Sequence, residues 1–294
     1  MVATGTYTVK IGAIECSVIT DGTFPGTPTP YTSPKNFLFS NASKDELRQA
    51  LREHKVALET VNDWIIPFAG LLIKTGNQTV LMDTGAGGLG PDTGKLPGNL
   101  KAVGVRPEDV DIIIHTHGHR DHVGGNTDSG GRPVFPNARY FIAKAEWDYW
   151  TAEETKRSYQ GTGREGALEL TLKNLVPLRG RVKLIEREGE IMPGISAIRA
   201  PGHTPGHMAL LISSRGKELL CLADTVHHII HLENPAWATA IDFNLEQVIA
   251  TRQKLLSRAA RERSLVFATH MPFPGLGHVI SKGDAWRWLS VEAQ

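Results

Sequence analysis

Two cysteines in 294 residues are too few for a disulfide framework or a thiolate metal knuckle. Cys16 and Cys221 each lie in an apolar, strand-like setting, Ile14-Glu15-Cys16-Ser17-Val18 and Leu219-Leu220-Cys221-Leu222, which predicts buried free thiols. Charge of one sign is also missing, since 32 basic and 31 acidic residues leave a net charge of +1. No global field recruits nucleic acid or an anionic membrane, and no lysine/arginine cluster interleaved with aromatics marks a nucleic-acid face. No apolar run is long enough to span a bilayer. Met1-Val2-Ala3-Thr4-Gly5 lacks a basic region ahead of an apolar core, so the expected location is the cytoplasm, with a processed exported form as the alternative. The glycine-rich stretch from Gly85 to Gly98 has neither the lysine-serine of a phosphate-binding loop nor a Gly-x-Gly-x-x-Gly. It predicts a mobile loop near a site.

Histidine is what the chain concentrates. The apolar run from Val110 to Ile114 leads into Thr116-His117-Gly118-His119-Arg120-Asp121-His122. Imidazoles and a carboxylate packed this closely repel one another as they charge, unless a divalent cation holds the imidazoles neutral and the carboxylate ionised. On a strand-end loop His117 and His119 point the same way and share one ion, while Asp121 and His122 turn toward a second. Mixed nitrogen and oxygen donors suit zinc or its first-row neighbours. His115 alternates with His117 and His119, but Asp121-His122 fixes the register and leaves His115 to packing.

Elsewhere the pattern is of buried strands and amphipathic helices. Residues 7–20 predict an antiparallel strand pair, and Ser43-Lys44-Asp45-Glu46 is a capping box opening a helix to about His54. Two hairpins echo each other: Leu71-Leu72-Ile73 returning through Val80-Leu81-Met82 to Asp83-Thr84, and Leu210-Leu211-Ile212 returning through Leu219-Leu220-Cys221 to Asp224-Thr225. Helices are expected at 144–158, 164–175 and 244–260, and strands at 181–186 and 265–270. Fully apolar strands imply sheets covered by helices. No low-complexity linker interrupts the chain, and one domain over residues 1–294 is expected.

The segment His117-x-His119-x-Asp121-His122, with Gly124-Gly125 behind it, resembles the signature of the metallo-β-lactamase superfamily. That resemblance implies an α/β fold, the αββα four-layer sandwich, with metals at one edge between the sheets. It implies a first cation on His117, His119 and His203, the last within Gly202-His203-Thr204-Pro205-Gly206-His207. A second cation falls on Asp121, His122 and His270, with Asp224 bridging the two. His203, Asp224 and His270 each follow an apolar run, where strand ends place sites. His207 is expected to support His203, and Asp83 to fix the tautomer of a ligand histidine. The cofactors implied are two divalent ions, Zn2+ first, with Mn2+, Co2+ or Fe2+ admissible. Held roughly 3.5–4 Å apart, they would share a bridging hydroxide as nucleophile, with Asp121 passing its proton and Asp224 and His227 completing the catalytic set.

The stretch Thr269-His270-Met271-Pro272-Phe273-Pro274-Gly275-Leu276-Gly277-His278 resembles the branch that contains methyl parathion hydrolase and related lactonases. Acyl-homoserine lactonases carry a tyrosine where this chain has His227. The expected activity is therefore hydrolysis of hydrophobic aryl or alkyl lactones and esters, with organophosphate triesters second and acyl-homoserine lactones third. Of Phe24, Tyr31, Trp64, Phe68, Trp147, Trp150, Trp237, Phe243 and Phe273, about a third are expected to line a pocket. His227, His228 and His231 are either solvated loop residues or a cluster in which His227 or His228 orients the substrate carbonyl or leaving group. Relatives tend to be homodimers, which implies a homodimer here, with the Pro-rich 24–40 segment as candidate interface and as a loop bordering the site.

Overall fold

The computed structural model describes residues 5–26, 31, 33–54 and 64–291. Two seven-stranded sheets face each other. The first runs in chain order through β1 (Thr6–Ile11), β2 (Ile14–Pro25), β3 (Ile65–Thr75), β4 (Gln78–Met82), β5 (Ile112–Ile114), β6 (Arg139–Ala143) and β7 (Val182–Ile185). The second holds β8 (Gly189–Met192), β9 (Ile195–Arg199), β10 (Met208–Ser214), β11 (Lys217–Cys221), β12 (Leu265–Phe267), β13 (Leu276–Lys282) and β14 (Ala285–Ser290) in adjacent order. Each sheet opens with antiparallel hairpins and turns parallel at β4–β5 or β11–β12, where a helical crossover intervenes.

Period-2 alternation explains why these strands are apolar throughout. In β3 to β5, Leu71, Ile73, Val80, Met82, Ile112 and Ile114 point into the space between the sheets. Leu72, Leu81 and Ile113 point the other way, onto α3 (Leu96–Leu100). The second sheet divides alike: Leu210, Leu219, Cys221 and Phe267 face inward, while Leu220 and Val266 face α8 (Ile230–Glu233) and α9 (Leu245–Glu262). A strand buried on both faces has no polar side to show. The layers are therefore helix, sheet, sheet, helix, as expected. Cys16 and Cys221 are both fully buried free thiols in the inter-sheet core.

Helices α4 (Arg120–Val123), α5 (Lys144–Thr151), α6 (Glu153–Tyr159) and α7 (Glu165–Leu175) pack over β6 and β7. The single helix expected over 144–158 breaks at Ala152, whose extended ψ of 141° caps α5 and starts α6. A smaller cluster joins α1 (Pro34–Leu38) and α2 (Lys44–Glu53) to Trp64 and Trp237. Ser43 caps α2, its hydroxyl accepting from Glu46 N, and the Glu46 carboxylate reaches back to that hydroxyl rather than to the backbone N–H of a full capping box. Of the 24–40 segment, residues 27–30 and 32 lie outside the described residues. Among the described residues no helix is long and apolar enough to cross a membrane.

The Gly85–Gly98 stretch is pinned rather than mobile. Asp21, buried in β2, accepts hydrogen bonds from Ala86 N (2.8 Å), Gly94 N (3.1 Å) and Leu96 N (2.9 Å). An aspartate 65 residues upstream gives no local signal, so composition alone misread this loop. Asp21→Asn replaces one accepting oxygen with a donor that faces a backbone N–H. The variant is expected to lose about 1–3 kcal/mol in urea unfolding at neutral pH. A midpoint unchanged from wild type would show that the carboxylate does not hold the loop.

Candidate metal centre

The ligand-type side chains meet where strands end. β5 delivers His115-Thr116-His117, α4 supplies Asp121 and His122, and the β9–β10 connection supplies His203. The turns after β11 and β12 bring Asp224 and His270. They form two groups, His117/His119/His203/Asp224 and Asp121/His122/Asp224/His270, in each of which the donor atoms lie within 4.8 Å of one another. Asp224 belongs to both. Its Oδ1 is 3.0 Å from His122 Nε2 and 3.2 Å from His270 Nε2, and its Oδ2 is 3.2 Å from His203 Nε2 and 3.6 Å from His117 Nε2. All seven residues singled out from the sequence are here.

The two Asp-Thr turns do different work. Asp83 itself adopts φ 58°, whereas in the second hairpin Ala223 takes the left-handed conformation at φ 44°, one residue earlier. Aspartate tolerates that region better than alanine does. Strain of about 1–3 kcal/mol at Ala223 sits next to the shared carboxylate, where such strain is typically found. Asp83 accepts from Thr116 N (2.9 Å), Thr116 Oγ1 (2.8 Å) and His122 Nδ1 (2.9 Å). Thr116 Oγ1 in turn accepts from His117 Nδ1 at 3.1 Å. Asp242 accepts a hydrogen bond from His203 Nδ1 at 2.6 Å, and the Pro67 carbonyl accepts one from His270 Nδ1 at 3.0 Å. Each of the four imidazoles thereby commits Nδ1 to a fixed partner and turns Nε2 toward the centre.

Electrostatics follow from burial and mutual proximity. Burial, then the neighbouring imidazoles, hold His117 and His119 well below the usual histidine range. Burial would raise Asp224, but the histidines around it, His122 and His270 first, outweigh that and hold it well below the carboxylate range. Burial opposes charge on His203, yet its bonds to Asp224 and Asp242 lift it to about 9. Burial opposes charge on His122 as well, but Asp224 and Asp83 hold it well above its ordinary value.

This donor set fits cations. His119 Nδ1 lies 3.0 Å from His117 Nε2 and 2.8 Å from His203 Nε2, yet one ring nitrogen offers a single hydrogen or a single lone pair. It cannot bond to both. His122 Nε2 and Asp224 Oδ1 are buried without a properly directed hydrogen-bond partner. Converging lone pairs of this kind match nitrogen and oxygen ligation of a divalent ion in each group.

Other expectations need revision. His207 supports Asp224 rather than His203: its Nδ1 donates to the Ala200 carbonyl and its Nε2 accepts from Asp224 N at 3.1 Å. Of the histidines after Asp224, His227 and His231 are buried and His228 is half-buried, and His227 and His228 line the cavity above the centre. His231 is buried with Nε2 bonded to the Leu38 carbonyl, and His228 packs on Trp64 with ring centroids 5.4 Å apart. His227 bonds Asp224 Oδ2 at 3.1 Å and stacks on His270 with 6° between the rings. His115 is buried against Asn126, as a packing residue. Of the nine aromatics, Phe24, Tyr31, Trp64, Phe68 and Trp150 line the cavity above the centre. Trp237, Trp147 and Phe273 belong to core packing, and Phe243 is 57% exposed. Asp242, Thr116 and Glu146 went unnoticed in the sequence because each reads as an ordinary loop or helix-surface residue.

Residues 68–281 match the family model described as Metallo-beta-lactamase superfamily. An N-acyl homoserine lactonase from a Bacillus species is 31% identical over 172 residues, 58% of this chain and 60% of the relative. The N-acyl homoserine lactonase AttM of Rhizobium radiobacter is 28% identical over 182 residues, covering 59% and 62%. The chain thus spans about three fifths of the length of the curated relatives it matches. Two solved structures match over nearly their full length. AidC, a dizinc quorum-quenching lactonase in complex with its product, has a TM-score of 0.88 at 28% identity, covering 99% of this chain and 98% of that one. The hydrolase AbOPH, in the beta lactamase superfamily, has a TM-score of 0.89 at 27% identity, covering 100% and 99%. With the family match running from β3 into β13, across every ligand position, the chain belongs to the metallo-β-lactamase superfamily.

Proposed function

We propose that the protein is a dinuclear metal-dependent hydrolase that opens lactones bearing an apolar substituent. The supporting observation is one cavity with the ligand groups as its floor, His119, Asp121, Asp224 and His270, and aromatic walls that include Trp64 and Phe68. The cleft opens to solvent above the ligand residues, and its lining is mostly apolar, as a site for a lactone ring with an apolar chain requires. His117, His119, His203 and Asp224 would hold one divalent ion, and Asp121, His122, Asp224 and His270 the other, with Zn2+ the first choice. When bound, such ions lower the pKa of water toward neutrality and polarise an acyl oxygen. Asp121, whose side chain keeps 22% of its exposure, is the ligand carboxylate that water in the cavity meets. It takes the proton as the water oxygen bonds to the acyl carbon, and returns it to the ring oxygen as the C–O bond breaks.

His227 is a positioning residue in this reading, since it holds Asp224 Oδ2 and covers His270. His227→Phe keeps the ring stack and deletes the hydrogen bond. Its kcat is expected to fall about tenfold, some 1.4 kcal/mol, with both metal equivalents retained. Loss of a metal equivalent would instead make His227 part of the ion site.

Relatives named as N-acyl homoserine lactonases, and a full-length structural likeness to a dizinc quorum-quenching lactonase, support placing N-acyl homoserine lactones first within the lactone class, ahead of aryl lactones. Phosphotriesters stand second, supported by the aromatic walls, which suit an aryl leaving group, and by the 269–278 resemblance. The test is kcat/KM on metal-loaded protein for N-hexanoyl homoserine lactone, dihydrocoumarin and a methyl phosphotriester. Lactones should lead by at least about a hundredfold, some 2.7 kcal/mol of transition-state binding. A lead for the phosphotriester would reverse the order, and no turnover of either lactone would overturn the reading.

A further inference from the structure

Glu146 of α5 is fully buried, yet it faces no cation. Its carboxylate is satisfied by four donors. Oε1 accepts from Gly118 N (2.8 Å) and Trp150 Nε1 (2.5 Å), and Oε2 from Thr204 Oγ1 (2.7 Å) and Gly206 N (2.9 Å). Gly118 lies between His117 and His119, and Thr204 follows His203 directly. One side chain therefore ties together the two segments that carry every histidine of the first ligand group, one leaving the first sheet and one entering the second. The fit is tight on both sides. A Cβ at Gly206 would stand 2.2 Å from Glu146 N, and one at Gly118 would stand 2.4 Å from the Trp150 ring. Only glycine allows α5 to approach both loops. Trp150, held by the same carboxylate, sets its edge against His119 with centroids 5.3 Å apart. None of these four hydrogen bonds is to Asp121, His122 or His270 themselves, which belong to the other group.

We propose that Glu146 is a positioning residue that sets the geometry, and hence the metal affinity, of the His117/His119/His203 group selectively. This rests on the reading that each group holds a cation. A buried charge with four neutral donors resists replacement: glutamine offers one accepting oxygen and turns an amide toward two of the donors. Partners one step removed from the ion typically change affinity by about 10–100-fold.

The test is competition between the holoprotein and a graded chelator, with Zn2+ release measured per chain and Co2+-substituted protein followed by its visible absorption. Wild type should hold two equivalents. In Glu146→Gln one of the two release steps should weaken by about 10–100-fold while the other keeps its wild-type midpoint. Glu146→Ala should deepen the same split if it folds, and the glutamine variant carries the test if it does not. Two release steps at wild-type midpoints, or two weakened by the same factor as a general loss of stability would produce, overturn the proposal. A wild type that never holds two equivalents overturns the underlying dinuclear reading, and this proposal with it.

Discussion

Asp224→Ala is expected to cut lactone turnover by at least about a thousandfold, some 4 kcal/mol, and to leave no more than one metal equivalent per chain. Among the described residues Asp224 is the only side chain with donor atoms in both ligand groups, its Oδ1 beside His122 and its Oδ2 beside His203. Removing it also leaves His122 and His203 facing each other without the charge that favours them. Breaking one partner out of a buried pair costs about 3–5 kcal/mol. Metal analysis on purified protein, with rates taken in a pH-stat, checks both effects. Asp224→Asn keeps the shape and loses the charge, so it separates misfolding from lost ligation. Wild-type turnover with two equivalents bound would refute the assignment.

Stripping the metal is the second large effect. Each ion held at about a thousand times its dissociation constant adds about 4 kcal/mol to the folded state. Two such ions should lower the melting temperature by about 10–20 °C when removed from a chain of this size. The pH dependence of the stripped protein has a definite sign. His203 is lifted to about 9 in the fold, so its contribution is full below the unfolded value of 6.5 and is lost as pH rises through 9, and His122 and His270, which the fold also raises, act in the same direction. Loading must expel the same protons, because a ligand imidazole binds as the neutral ring. Calorimetry in buffers of differing ionisation enthalpy should show proton release on zinc loading at pH 7 that shrinks as pH passes 9. Release that does not change over that range would show these histidines to be neutral before the metal arrives.

Much of the site was legible because its chemistry is local. His117 to His122 is one turn of chain, and ligand-type side chains that dense are hard to satisfy without a cation. His203, Asp224 and His270 were legible for a different reason, since each closes an apolar run and so must emerge at a sheet edge. The sandwich itself was legible in strands such as Leu71-Leu72-Ile73, apolar on both faces because both faces are covered. What escaped are partners made by tertiary contact. Glu146 sits between Lys144 and Asp148, which reads as a solvated helix face, and only the fold turns it inward against Gly118 and Gly206. Asp21 and Asp242 reach across 75 and 39 residues to Leu96 and His203. Nor does the sequence decide whether His228 and His231 are solvated, because the groups that cover them, Leu38, Phe39 and Trp64, are more than 160 residues away.

Everything proposed for the reaction depends on two cations per chain. Chelator-stripped protein titrated with Zn2+, while N-hexanoyl homoserine lactone opening is followed in a pH-stat, probes that dependence without an intermediate step. The stripped protein should show no turnover, and the rate should climb to a plateau at two equivalents. Turnover without metal, or a plateau at one equivalent, would contradict the dinuclear reading.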